Sequence, residues 1–147
     1  MSRVTIVENK YTSVHFDEDL NLYEQVWNTE TEDMEEEEYK DIITQLIATL
    51  EDKVDSYIIH NYLLDNRNFL FSMSPEMQEW NAKNSTQFFV DLMEKQGLDS
   101  VKNAIIVSAD FISQLSIEQA FEENQEGEQY TKYFEEEQEA REWLFDI

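Results

Sequence analysis

The chain has 147 residues, 34 Asp plus Glu against 10 Lys plus Arg, a formal charge of -24 and no cysteine. So acidic a chain cannot assemble the basic stripe that neutralises phosphates, which excludes an ordinary nucleic-acid binder. The same surplus repels anionic membranes, and the missing thiols exclude disulfides and Cys-ligated zinc or iron-sulfur centres.

Hydrophobic residues make 41% and aromatics 13%, too much apolar surface for a solvated acidic coil, so the chain is expected to fold. With one Pro, two Gly and no Ser/Gly-rich linker, residues 1–147 read as a single domain. Residues 1–11 carry Arg3 and Lys10 but no apolar run of signal-peptide length, and no stretch approaches the roughly 20 apolar residues of a membrane span. A cytoplasmic location without membrane insertion is the expectation. Residues 1–10 are expected to be a loosely ordered or edge-strand segment.

In chain order, residues 11–16 and 20–27 are rich in β-formers, and the polar break Asp17-Glu18-Asp19 between them predicts an antiparallel hairpin. From Asp33 the period changes: Tyr39, Ile42, Ile43, Leu46, Ile47 and Leu50 draw one apolar stripe on a helix, with Asp33 and Glu36 spaced as a capping box. Residues 57–64 are nearly continuously apolar, as expected of a strand covered on both faces. After the polar turn Asp65-Asn66-Arg67-Asn68, Ser74 as cap and Pro75 in the first position predict a helix running to Gln96 and stopping at Gly97. The polar insert 81–87 is a place for that helix to kink or split. Residues 101–109 repeat the buried-strand pattern. Asp110 and the pair Ser116 and Gln119 suggest two short helical pieces, followed by a strand over 129–134 and an amphipathic helix over 135–144. The order ββαβαβαβα argues for an α/β fold with a mostly parallel mixed sheet, packed helices and an antiparallel hairpin at one side.

That order, the passage from strand 57–65 through a turn to a helix near Ser74, and the closing Tyr133-Phe134-Glu135-Glu136-Glu137-Gln138-Glu139-Ala140-Arg141-Glu142-Trp143-Leu144 resemble the STAS family, in its SpoIIAA-like branch. The resemblance spans about residues 12–145. It implies a non-catalytic module that binds a protein, sometimes a nucleotide, at the turn and helix after the third strand. In antagonist members of the family a serine in an Asp-Ser-Ser-Gly motif there is phosphorylated. Here the sequence reads Phe71-Ser72-Met73-Ser74-Pro75, Pro75 lacks a donor for a phosphate and Glu76 adds repulsion, so Ser74 reads as a structural cap.

The remaining chemistry is sparse. His15 and His60 stand alone in predicted strands, without a second His at metal-ligating spacing. An EF-hand loop counted from Asp17 or from Asp65 lacks its glycine, and two glycines 30 residues apart cannot form a phosphate loop. No catalytic residue, metal or cofactor is assigned. Trp27, Trp80 and Trp143 read as core. Seven acids within residues 30–38 and nine within 122–142 are either a solvating face or a docking face for a basic partner. Arg67 can pair with Asp65 or clamp an anion, and the pair is the simpler reading. Partner binding is therefore expected around Asp65, Arg67, Phe69, Phe71 and Ser74. A carrier of a small apolar or lipid-like ligand, held near Phe69, Phe71, Phe88 and Phe89, is the alternative, and an enzyme using scattered carboxylates with Arg67 ranks below it. Homodimerisation is left open.

Overall fold

The computed structural model describes residues 3–147. Alternation of side chains generates six strands that line up in sequence order, β1 Arg3–Glu8, β2 Thr12–Asp17, β3 Leu22–Trp27, β4 Asn61–Asp65, β5 Lys102–Ile106 and β6 Thr131–Phe134. β1 to β3 are antiparallel, whereas β3 to β6 are parallel, so the protein is an α/β fold on a mixed sheet. Residues 3–8 are the edge strand, and its register slips between Thr5 and Val7, a bulge of the kind that blunts an exposed edge. The turn between β2 and β3 closes on Asp17, whose Oδ1 accepts the backbone N–H groups of Asp19 and Leu20 at 3.0 and 3.2 Å, with Asn21 at φ 51°.

Parallel neighbours need crossovers, and α1 Glu36–Asp52, α2 Pro75–Asn81 with α3 Gln87–Lys95, and α4 Phe111–Glu122 supply them. Register partners Tyr23, Tyr62 and Asn103 share the face these helices cover, while Leu63, Ala104 and Ile106 point to the other face. There α6 Glu137–Phe145 seats Ala140 and Leu144 on Leu22, Leu63, Ala104 and Ile106. The helix-covered face holds two clusters, one around Trp27, Tyr39, Phe69 and Ile105, the other around Phe16, Tyr23, Leu46 and Tyr62. Trp27 is core as expected, whereas Trp80 and Trp143 are only partly buried, each under a lysine ammonium.

Several expected boundaries move, each for a local reason. The capping box of α1 is Glu35 with Glu38, three residues apart as in the expected pair, because Asp33 is taken up in the 3-10 turn Thr29–Asp33. Residues 57–60 lie outside the strand, which begins at Asn61: the Gln96 side chain accepts from Ile59 N–H at 3.1 Å and donates to the Tyr57 and Val54 carbonyls at 2.7 and 2.9 Å, and only His60 bonds toward the sheet, donating to the Asn21 carbonyl and accepting from Lys102 N–H. Helix 75–95 is continuous: α2 Pro75–Asn81 passes through a π-helical turn, Ala82–Thr86, into α3 Gln87–Lys95. The widened turn is supported by amides, since Asn84 Nδ2 donates to the Trp80 carbonyl at 2.9 Å and Asn124 Nδ2 to that of Ala82 at 3.2 Å. Gly97, at φ 74°, ends the helix as expected. The two pieces expected after Asp110 are one helix, α4, capped by Asp110 accepting from Ser113 N–H at 2.8 Å. Ser116 is interior to it and accepts from Met73 N–H at 3.1 Å, so a side chain spaced like a cap is a tie to the turn before α2. A short α5, Gln125–Glu128, precedes β6.

In this topology β4 and β5 are flanked by strands on both sides and covered on both faces. Amide hydrogen exchange should be slowest in Asn61–Asp65 and Lys102–Ile106 and fastest, among the strands, in the edge Arg3–Glu8. Rapid exchange in both inner strands would contradict the sheet order.

Candidate functional site

The turn at residues 65–74 lies beyond the C-terminal end of β4, where ligands gather in open α/β sheets. Its expected residues divide sharply. Phe69 and Phe71 are buried, Phe69 against Trp27 at 4.9 Å between ring centroids and Phe71 stacked on Tyr39 at 5.5 Å. They are core and not surface anchors, a correction that follows from the turn folding back under α1. Ser74 caps α2, accepting from Met77 N–H at 3.2 Å, a contact whose loss costs on the order of 1 kcal/mol. Its hydroxyl donates to Glu36 at 2.8 Å, so a carboxylate stands where a phosphate would have to go.

Arg67 pairs with Asp65 through two bonds, Nε to Oδ1 at 2.9 Å and Nη2 to Oδ2 at 2.5 Å. The pair does not stand alone. Arg67 also reaches Glu137 at 3.1 Å, Glu137 pairs with Arg141 at 2.9 Å, Arg141 with Glu24 at 2.5 Å, and Glu24 with Arg3 at 3.3 Å. All three arginines of the chain are committed to this ladder, which runs along the α6 side of the sheet. The hydrogen bonds that Arg67 donates to Asp65 raise its pKa and hold the guanidinium firmly protonated. With its charge matched by two carboxylates, Arg67 serves as a clasp between the turn and α6 and has no surplus charge for an anion.

Beside the same turn, α4 exposes three large apolar side chains that sequence reasoning missed: Phe111 at 75%, Ile112 at 58% and Leu115 at 42%. Ser72 and Ser113 hydroxyls are 3.4 Å apart and Ser116 holds Met73, so the turn 65–74 packs against the buried side of α4 and the trio stands on the helix's outward face. The signal was present: α4 reads Phe-Ile-Ser-Gln-Leu-Ser-Ile, apolar on every side, and a helix with one buried face cannot hide all of it.

Beneath the helices, between the sheet and the π-turn, is an interior cavity of about 120 Å³. Its floor is Tyr23 and Tyr62 on adjacent strands, its roof Phe89, set edge-on to both rings at 5.6 and 5.4 Å. None of the residues lining it is charged, in a chain that is 30% charged. Of the aromatic residues expected around an apolar ligand, Phe69 and Phe89 line it while Phe71 and Phe88 do not. Burial raises the pKa of Tyr23, Tyr39 and Tyr62 well above the ordinary phenol value, so all three are neutral donors. Tyr23 donates to Gln25 Oε1 at 2.9 Å and Tyr39 to Asn81 Oδ1 at 2.6 Å.

His15 is half-exposed in β2 beside the Thr5 hydroxyl, at 3.3 Å, and His60 is exposed just before β4. Among the described residues no three His, Asp or Glu side chains group as metal ligands, and no helix is long and apolar enough to cross a membrane. Comparison with family models, with characterised proteins and with solved structures finds no match. What the fold defines is an α/β domain with a six-stranded mixed sheet.

Phenols whose folded pKa lies above the unfolded value of about 10 stabilise the fold fully below that pH and lose the contribution as pH rises toward the folded values. In an alkaline titration followed by phenolate absorbance, Tyr23, Tyr39 and Tyr62 should ionise only together with unfolding, above pH about 10. Seven phenols ionising in a folded chain would contradict their burial.

Proposed function

We propose that this chain is a non-catalytic, STAS-like interaction module whose protein partner docks on the outward face of the first turns of α4, beside the turn 65–74. The observation that carries the reading is the exposure of Phe111, Ile112 and Leu115 side by side, an apolar anchor of the kind that soluble surfaces seldom leave uncovered. The element order and the turn-to-helix passage at Ser74, on which the family resemblance rests, support it further. Its occupant is a basic, amphipathic segment: apolar side chains seat on the trio, and positive charge meets a surface of net charge -24. Asp65, Arg67 and Ser74 shape the rim, while Phe69 and Phe71 support it from below.

Replacing Phe111 and Ile112 by Ser should leave the melting temperature nearly unchanged, since both side chains face water. The same variant should lose the partner retained by the parent chain in a pull-down from its native cell. Changing Glu30, Glu32 and Glu37, all exposed and outside the capping box, to Gln should slow association and flatten its salt dependence. The reading fails if the folded double variant keeps every partner of the parent. A concentration-dependent dimer abolished by the same variant would instead make a second copy of the chain the occupant.

A further inference from the structure

Among the described residues three buried polar atoms have no hydrogen-bond partner, the Tyr62 hydroxyl, Asn103 Oδ1 and Asn66 Oδ1, and all three residues line the interior cavity. An orphaned buried polar group costs free energy, and natural interiors seldom leave one without a reason. Tyr62 and Asn103 are register partners on neighbouring strands, on the same face. Asn66, the residue after β4, lies four positions beyond Tyr62, about 13 Å at the strand rise, too far to meet the same ligand atom.

The orientation of Asn103 is fixed by a relay. The Thr131 hydroxyl donates to the Gly127 carbonyl at 2.9 Å, so its proton is spent there and it can only accept from Asn103. Asn103 Nδ2 donates to it at 3.1 Å, which leaves Oδ1, an acceptor, unpaired. Its register partner on β4 is Tyr62, whose hydroxyl is the other unpaired group, neutral and able to donate. The pair therefore asks for one ligand atom that donates to Asn103 and accepts from Tyr62, which a hydroxyl does.

From these observations we propose that the cavity is a binding site for an uncharged single-ring molecule bearing a hydroxyl, of the phenol class, held by Tyr62 and Asn103 beneath Phe89. The lining decides the rest of the ligand. With no charged residue around it, a carboxylate or ammonium would be buried unpaired, a cost that excludes both. The aromatic floor and roof suit a flat ring. The volume sets the size: an engineered apolar cavity of about 150 Å³ holds benzene, so about 120 Å³ takes one small ring and not an acyl chain. Gly127 keeps the wall in place, because a Cβ there would strike the Thr86 methyl of the π-turn.

The test uses the full chain and three probes of similar shape, phenol, toluene and benzoate, titrated at neutral pH by calorimetry and by amide chemical shifts. Phenol should bind saturably and at least about tenfold more tightly than toluene, the worth of a hydrogen bond whose partners are otherwise left unpaired. Benzoate should not bind. In Tyr62→Phe the preference for phenol over toluene should shrink by about tenfold while toluene binding persists, which separates loss of the hydroxyl from loss of the cavity. A crystal structure with phenol should place its hydroxyl between Tyr62 and Asn103. The proposal is overturned if phenol does not bind, if toluene or benzoate binds as well as phenol, if Tyr62→Phe keeps the full preference, or if the crystal shows only ordered water between the two side chains.

Discussion

The handedness of crossovers between adjacent parallel strands is the constraint from which the rest of this molecule follows. β3, β4, β5 and β6 are neighbours in sequence order, and each right-handed connection lays its helix on the same face. α1, α2–α3 and α4 therefore crowd one side, and the opposite side has only α6, which seats Ala140 and Leu144 over the inner strands. The arginine–carboxylate ladder from Asp65 to Arg3 passes through Glu137 and Arg141 of α6 itself and ties that helix to the sheet. Exposed pairs of this kind are worth at most about 1 kcal/mol each, so the ladder positions α6 against the sheet more than it stabilises the fold.

Crowding three crossovers on one face also produces both candidate sites. The helical layer must fill the space above Tyr23, Tyr62 and Asn103, and it does so with the π-turn Ala82–Thr86, whose buried Ala82, Ser85 and Thr86 are small. Small side chains above large rings leave the cavity. In the same layer α4 cannot bury all its apolar side chains: Ile117 and Ala120 already face the core, and Phe111, Ile112 and Leu115 are left outward. One surface and one interior site thus share a cause while lying on different sides of the helical layer.

Much of this was legible in the sequence, and the failures are physical. The stripe of α1, the hairpin, the Ser74 and Pro75 start and the Gly97 stop depend on local spacing and conformation, which a sequence states directly. Residues 57–60 fall outside the strand because an apolar run does not say whether its backbone pairs with a strand or with a distant side chain, here Gln96. Ser116 is a tie to Met73 and not a cap because a hydroxyl suited to capping is equally suited to a tertiary bond. Phe69 and Phe71 occupy a turn that reads as surface, yet the turn folds under α1. The Asp65–Arg67 pair was legible because two residues of one turn make it, whereas its extension through Glu137, Arg141 and Glu24 joins elements from three parts of the chain. The cavity left no sequence signal, since Asn103 looks like any strand asparagine until Thr131 fixes its orientation.

The proposed interior site depends on a polar group on the helix-covered face of the sheet that the protein itself does not use. Two tyrosines that are register partners on that face provide the contrast: Tyr23 spends its hydroxyl on Gln25, and Tyr62 has no partner for its own. Thermal unfolding of Tyr23→Phe and Tyr62→Phe, compared with the parent, measures the difference directly. Tyr23→Phe should lose about 1 kcal/mol, the net worth of a buried hydrogen bond, and Tyr62→Phe should lose nothing or gain. An equal loss in both variants would show that the Tyr62 hydroxyl is already satisfied within the folded chain, and the interior site would be ordinary core.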